Sequence, residues 1–145
     1  MAATTAESAF GTLLQYGDDP DSPSTWTTIA EVTSISGPGA SLDFDDATHM
    51  ESPDGFEEPI PTIGRFGSVS ASCNHLKSDT THNTLITKQK NKTRTSFRVL
   101  FPGGARAAQF AGYIESYNSD HSHDAKAGFD LSIRLTEYPD RVDVP

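Results

Sequence analysis

The sequence predicts a mainly β protein, an antiparallel β-fold with one helix against one side. Three observations carry this. Several short stretches alternate apolar and polar residues at period two, as in Phe129, Leu131, Ile133 and Leu135 against Asp130, Ser132, Arg134 and Thr136. Clusters of glycine and proline punctuate them, at Gly37-Pro38-Gly39 and Pro102-Gly103-Gly104. Only one segment, behind Ser78-Asp79, carries a good helix start. The 145 residues suit a single domain, 1–145, with one core.

Residues 1–7 are small and polar and read as a flexible arm. Ser8 to Gln15 reads as a short strand or a continuation of that arm, and Gly17 to Ser24 as a loop. Trp26 to Ser36 is rich in Thr, Ile and Val, which favours a strand. Ile29, Val32 and Ile35 recur every three residues, but the β-branched run and the stop at Gly37-Pro38-Gly39 argue against a helix. Ala40 to Asp45 then alternates cleanly, with Leu42 and Phe44 opposite Ser41, Asp43 and Asp45. The stretch Trp26–Thr48 therefore predicts a hairpin turning at Gly37-Pro38-Gly39, with Trp26 packed at its base.

Residues 46–64 contain three prolines, two glycines and no periodicity. Loops of this length are uncommon in compact domains unless they are functional. Met50, Phe56, Ile60 and Ile63 would be wasted in a disordered linker, so the segment reads as a loop that docks on another subunit. Arg65 to Leu76 alternates again, with Val69, Ala71 and Cys73 on the less polar face. Thr80 to Asn91 is the predicted helix. Leu85 and Ile86 pack it on the sheet, and Lys88, Lys90 and Lys92 load its C-terminal end, where the helix dipole favours positive charge. Ser96–Phe101 and Ala107–Tyr117 read as paired strands, Asn118–His123 as a polar loop, Lys126–Tyr138 as the cleanest strand, and 139–145 as an exposed arm. That makes about six strands and one helix.

Net charge is -9, and its distribution says more than the total. Residues 1–64 hold 12 acids and no lysine or arginine; residues 65–106 hold one acid, Asp79, and eight bases; residues 107–145 hold seven acids and three bases. Opposite signs in separate blocks allow head-to-tail contact between identical copies. The overall acidity argues against tight nucleic-acid binding, which needs a dominant basic footprint.

An enzyme is not expected. No P-loop, GxGxxG, HExxH, CxxC or GxSxG pattern is present. Asp120, His121, His123 and Asp124 form the best metal-like cluster but fall in a polar turn, where solvated side chains are the simpler reading. Glu57-Glu58 are neighbours on one loop and not opposed carboxylates. The single cysteine, Cys73, excludes an intrachain disulfide and reads as a buried structural thiol. No cofactor is implied. No apolar run approaches the roughly 20 residues that span a bilayer, and no Sec-type leader is visible, so a soluble protein made in the cytoplasm is expected.

SAFGTLLQYGD at Ser8–Asp18, TTIAEVTSISGPGASLD at Thr27–Asp43 and the loop Thr48-His49…Ser52-Pro53-Asp54-Gly55-Phe56 resemble the tail tube (major tail) proteins of long, non-contractile-tailed bacteriophages. DTTHNTLI at Asp79–Ile86 resembles the family's helix, and FRVLFPGG and FAGYIESY resemble its second hairpin. The IAEVTSISGPG string is the most specific part. Ala40, Ala47 and the acidic, proline-rich 57–64 stretch depart from the pattern. The resemblance implies a β-sandwich or half-barrel with one flanking helix. Six subunits would close into a ring, their hairpins completing one inner β-barrel, and rings would stack into the hollow tube that conducts DNA.

It further implies a structural virion protein in the tail, made in the host bacterial cytoplasm. Implied partners are itself, tail tip or baseplate, tape measure and tail terminator proteins, with DNA passing unbound and no membrane. The strands Ser41–Asp45 and Arg98–Gly112 are candidates for the inner barrel. Asp43, Asp45, Asp46, His49, Met50, Phe56, Glu57, Glu58, Ile60, Lys88, Lys90, Arg94 and Arg98 are candidate contacts between subunits or rings. The rival readings are the inner tube of a contractile injection device, a monomeric β-sandwich binding module, and a hydrolase built on the 120–124 cluster.

Overall fold

Among the described residues ten strands and one α-helix form, more strands than the alternation alone reveals. A computed structural model describes residues 3–4, 8–76, 78–121 and 123–144, so most of the predicted 1–7 arm lies outside the described residues. The strands are β1 (Leu13–Gly17), β2 (Trp26–Thr28), β3 (Val32–Ser36), β4 (Ala40–Asp46), β5 (Pro59–Phe66), β6 (Ser68–Asn74), β7 (Thr95–Leu100), β8 (Arg106–Asp120), β9 (Gly128–Leu135) and β10 (Asp140–Asp143). The helix α1 spans Thr80–Lys90. One antiparallel sheet runs β2-β1-β7-β8-β9-β6-β3, with β10 also paired to β8.

The long strand β8 joins two halves of this sheet. Its first part lies between β7 and β10, and from Gly112 onward it pairs with β9. Gly112 faces Thr95 on one side and Leu135 on the other. A Cβ there would sit 2.2 Å from the Arg134 carbonyl oxygen, so the strands approach more closely than any side chain allows.

The core fills the space between the halves. Leu14, Phe97, Val99 and Phe110 come from one side, and Val69, Ala71, Phe129, Leu131 and Ile133 from the other. Phe97 and Phe110 are cross-strand partners with ring centroids 5.9 Å apart. Cys73 belongs to this core, as the alternation predicts, and burial pushes its thiol up to about 11.

The helix starts and stops as its sequence dictates. The Asp79 carboxylate accepts the backbone N–H groups of Thr81 and His82 and the Thr81 hydroxyl. Leu85 is buried and Lys88 and Lys90 lie in the last turn. His82, also buried, stacks on Phe129 at 4.9 Å and hydrogen-bonds the Ala30 carbonyl at 3.0 Å. Ala30 N–H donates in turn to the Thr81 hydroxyl. These contacts hold the chain where it leaves β2, at Ile29-Ala30-Glu31, with Glu31 at φ 50°. The predicted strand Trp26–Ser36 is therefore two strands in different parts of the sheet.

Removing the cap as Asp79→Ala should cost about 1 kcal/mol. The Thr81 hydroxyl, then the two backbone donors, hold this carboxyl below its ordinary 3.8. A lowered folded value gives stability that is complete above the unfolded value and lost as pH falls through the folded one. Thermal midpoints of the two proteins should differ at neutral pH and converge below pH 3.8; a gap constant with pH would contradict this.

Gly37-Pro38-Gly39 does not close a hairpin. β3 pairs with β6 and β4 pairs with β5, so the three residues are a corner where the chain leaves the main sheet. The predicted 46–64 loop is shorter than expected, because Pro59–Phe66 forms β5. Pro59 and Pro61 hide that strand from a pattern search. A two-stranded hairpin has only edge strands, and edges are where proline is tolerated. The predicted C-terminal arm likewise contains β10, with Asp140 opposite Gln109 and Asp143 opposite Arg106. Part of the predicted polar loop 118–123 extends β8 to Asp120.

Candidate assembly surface

The β4–β5 hairpin stands apart from the core. Its strands pack on each other and extensively on no other element. They leave the main sheet together, where Gly67 N–H donates to the Gly39 carbonyl at 2.9 Å. A Cβ on Gly67 would lie 2.8 Å from that oxygen, so glycine is required for the crossing. Every residue of the hairpin strands is exposed except Asp43, which is half-buried. Leu42, Phe44, Ile60, Ile63 and Phe66 are between 47% (Phe66) and 62% (Phe44) exposed. A monomer rarely displays so many large apolar side chains on one element unless something covers them. Between the hairpin root and Tyr138 lies an open cavity of about 380 Å³, lined by Ala40, Leu42 and Phe66 among others.

The connection from β4 to β5, residues 47–58, is tied at its neck. Asp46 accepts the Thr48 N–H at 2.8 Å and its hydroxyl, which holds the Asp46 carboxyl below its usual range. Thr48 accepts the Glu58 N–H at 2.9 Å. The Ser52 hydroxyl donates to Glu58 Oε2 at 2.7 Å, and His49 Nδ1 lies 3.1 Å from the same oxygen. Pro53–Gly55 turns the chain, with Asp54 at φ 55° and Gly55 at φ 72°. The effect is a shaped loop displaying Met50, wholly exposed, and Phe56, 72% exposed.

Of the residues singled out from the sequence, Asp43, Asp45, Asp46, His49, Met50, Phe56, Glu57, Glu58 and Ile60 fall on this one element. The other four are dispersed. Lys88 and Lys90 end α1, and the Lys88 amine sits 5.9 Å from the Tyr16 ring. Arg94 bridges Asp21 at 2.8 Å and Glu137 at 3.7 Å within its own chain. Arg98 lies on β7, its guanidinium 4.5 Å over the Trp26 ring. Trp26 is thus at the far edge of the sheet and not at the base of a hairpin. Asp43 also finds its base nearby, pairing with Arg65 across the hairpin at 2.6 Å.

Sequence reasoning missed Leu42, Phe44 and Phe66 as surface residues. The period-two pattern gives two faces but cannot say that neither has a sheet to cover it. The 120–124 cluster gathers no set of three metal-ligating side chains among the described residues. His121 instead meets His75 edge-on at 5.0 Å.

No curated protein sequence matches the chain. Solved structures share its fold. The tail of an empty gene transfer agent (GTA) particle, determined with C6 symmetry, matches at 20% identity and TM-score 0.74, over 93% of this chain and 98% of that one. The baseplate structure of the anti-feeding prophage matches at 11% identity and TM-score 0.71, over 97% of both chains. The SPP1 tail tube matches at 9% identity and TM-score 0.65, over 92% of this chain and 76% of that one. The family model described as lambda phage tail tube protein covers residues 10–137, taking in β1 to β9 and the helix. The chain therefore belongs to the lambda phage tail tube protein family, the structural proteins that polymerise into the tube of a virion tail.

Proposed function

We propose that six copies of this chain close into a ring in which the β4–β5 hairpins join edge to edge, and that rings stack into a hollow tube for DNA. The observation that carries this is the hairpin itself: a two-stranded sheet with free edges and apolar side chains, projecting from a core that does not need it. Ring closure pairs those edges and covers those side chains. The residue 47–58 loop, with Met50 and Phe56 at its surface, reaches the next ring. The chain's role is structural and uses no catalytic step. Its negative balance favours a lumen that repels phosphate, so DNA slides through without binding. A tape measure protein inside, a terminator at one end and a tail tip or baseplate at the other complete the assembly.

Electron microscopy of the purified protein across a concentration series tests this. Six-subunit rings, and tubes of the same diameter, are expected to appear as concentration rises, sooner with tail tip proteins present. A species that stays monomeric at every concentration, even with those initiators, would overturn the proposal.

A further inference from the structure

Arg98 is an arginine without a carboxylate. Arg65, Arg94, Arg106 and Arg134 each have an acidic partner within 4 Å, whereas among the described residues Arg98 has none. It is also half-buried, and burial pulls its pKa below the usual arginine value. An unpaired charge in that position is costly unless something completes it.

The surroundings fix the side chain in place. Thr28, Gln15, Arg98, Gln109 and Asp140 are successive cross-strand partners, forming one line across β2, β1, β7, β8 and β10. They lie on the face opposite Phe97 and Val99, which point into the core. Arg98 Nε donates to Gln15 Oε1 at 2.5 Å, and Gln15 Nε2 donates to the Thr28 hydroxyl at 2.9 Å. The Trp26 ring supports the guanidinium from one side. Nε is therefore occupied, and the planar fork of terminal N–H groups, suited to a carboxylate, is held ready. The next line on the same face carries Leu13, Leu100 and Val142, all partly exposed.

The loop on the hairpin has the matching chemistry. Glu51, Asp54 and Glu57 form no ion pair or side-chain hydrogen bond among the described residues, and no lysine or arginine lies between residues 47 and 58, where His49 is already placed against Glu58. Met50 and Phe56 stand beside these acids. We infer that Arg98, on its Trp26 support, receives an acidic side chain from the 47–58 loop of a second copy, with the Leu13–Leu100 strip taking the loop's apolar residues. This rests on the tube reading and assigns it a specific contact.

Charge exchange tests the contact, with tube formation followed by sedimentation and electron microscopy and folding by circular dichroism. Arg98→Glu should raise the concentration at which tubes appear at least about tenfold. Should Arg98→Glu not fold, Arg98→Gln, which can still bond Gln15, should raise it in the same direction. Restoring the opposite charge in the loop, as Glu51→Arg, Asp54→Arg or Glu57→Arg combined with Arg98→Glu, should rescue assembly for at least one pair. Tubes at the wild-type concentration with either Arg98 variant, or no rescue by any pair, would overturn the contact while leaving the tube reading intact. Tubes unchanged but with weaker binding of a DNA oligonucleotide would assign Arg98 to phosphate and also overturn it. Wild-type protein that never forms tubes would instead defeat the reading beneath it.

Discussion

Replacing Leu42, Phe44 and Ile63 together with serine should leave the subunit folded and raise the concentration it needs for assembly roughly a hundredfold. These side chains are about half exposed in the free subunit and touch no part of the core. Fully burying a large apolar side chain is worth about 1.5–3 kcal/mol, so covering the exposed half of each gains about 1 kcal/mol. Three such residues contribute about 3 kcal/mol per subunit, or roughly a hundredfold in the concentration needed for assembly. The monomer's thermal midpoint should move little, because exposed positions away from special features seldom matter to folding. A triple variant that forms tubes at the wild-type concentration would remove the hairpin from the interface. One that unfolds would show that the hairpin supports its own subunit.

Gly112→Ala should have the reverse effect, damaging the fold before assembly is in question. The added Cβ would meet the Arg134 carbonyl oxygen at 2.2 Å, its carbonyl carbon at 3.0 Å and the Leu135 Cα at 3.2 Å. All three are backbone atoms, so no rotamer change relieves the clash. β8 would have to separate from β9 at the point where the two halves of the sheet are joined. Overpacking a site that cannot yield costs about 3 kcal/mol, a large part of a small domain's net stability. A fall in thermal midpoint of roughly 10 °C follows. Gly39→Ala is the control, since a Cβ there meets nothing within 4 Å and should leave the midpoint near wild type. Equal midpoints for Gly112→Ala and wild type would show that β8 and β9 are not locked here.

The legible parts of the sequence were those where local chemistry and final environment agree. Strand β9 alternates because one face meets the core and the other meets solvent. The helix was legible because Asp79 satisfies its first N–H groups directly. The segments misread are those whose environment is set from a distance. Gly37-Pro38-Gly39 has the composition of a hairpin turn, but β3 finds its partner in β6, more than thirty residues on. Nothing near residue 37 encodes that choice. β10 is a short edge strand with one half-buried residue, Val142, and so offers too little pattern to register. The hairpin site divided in the same way. Its acids and loop were visible as composition, while the exposure of Leu42 and Phe44 depends on how the whole chain turns at residues 37–39.

The crossing of Gly39 and Gly67 has a further effect, on how such a protein can change over generations. Because both strands of the hairpin leave the core through one narrow neck, in the proposed ring substitutions beyond it would bear on neighbouring copies and hardly at all on the subunit's own folding. In that ring the two tasks, though inherited on one chain, would vary almost separately. A new loop sequence can alter the partner without risking the β-core, and a core substitution can be accepted without redrawing the surface that copies share. The neck itself is the exception: Gly67 has no room for a side chain, so it is the position where both tasks would fail at once.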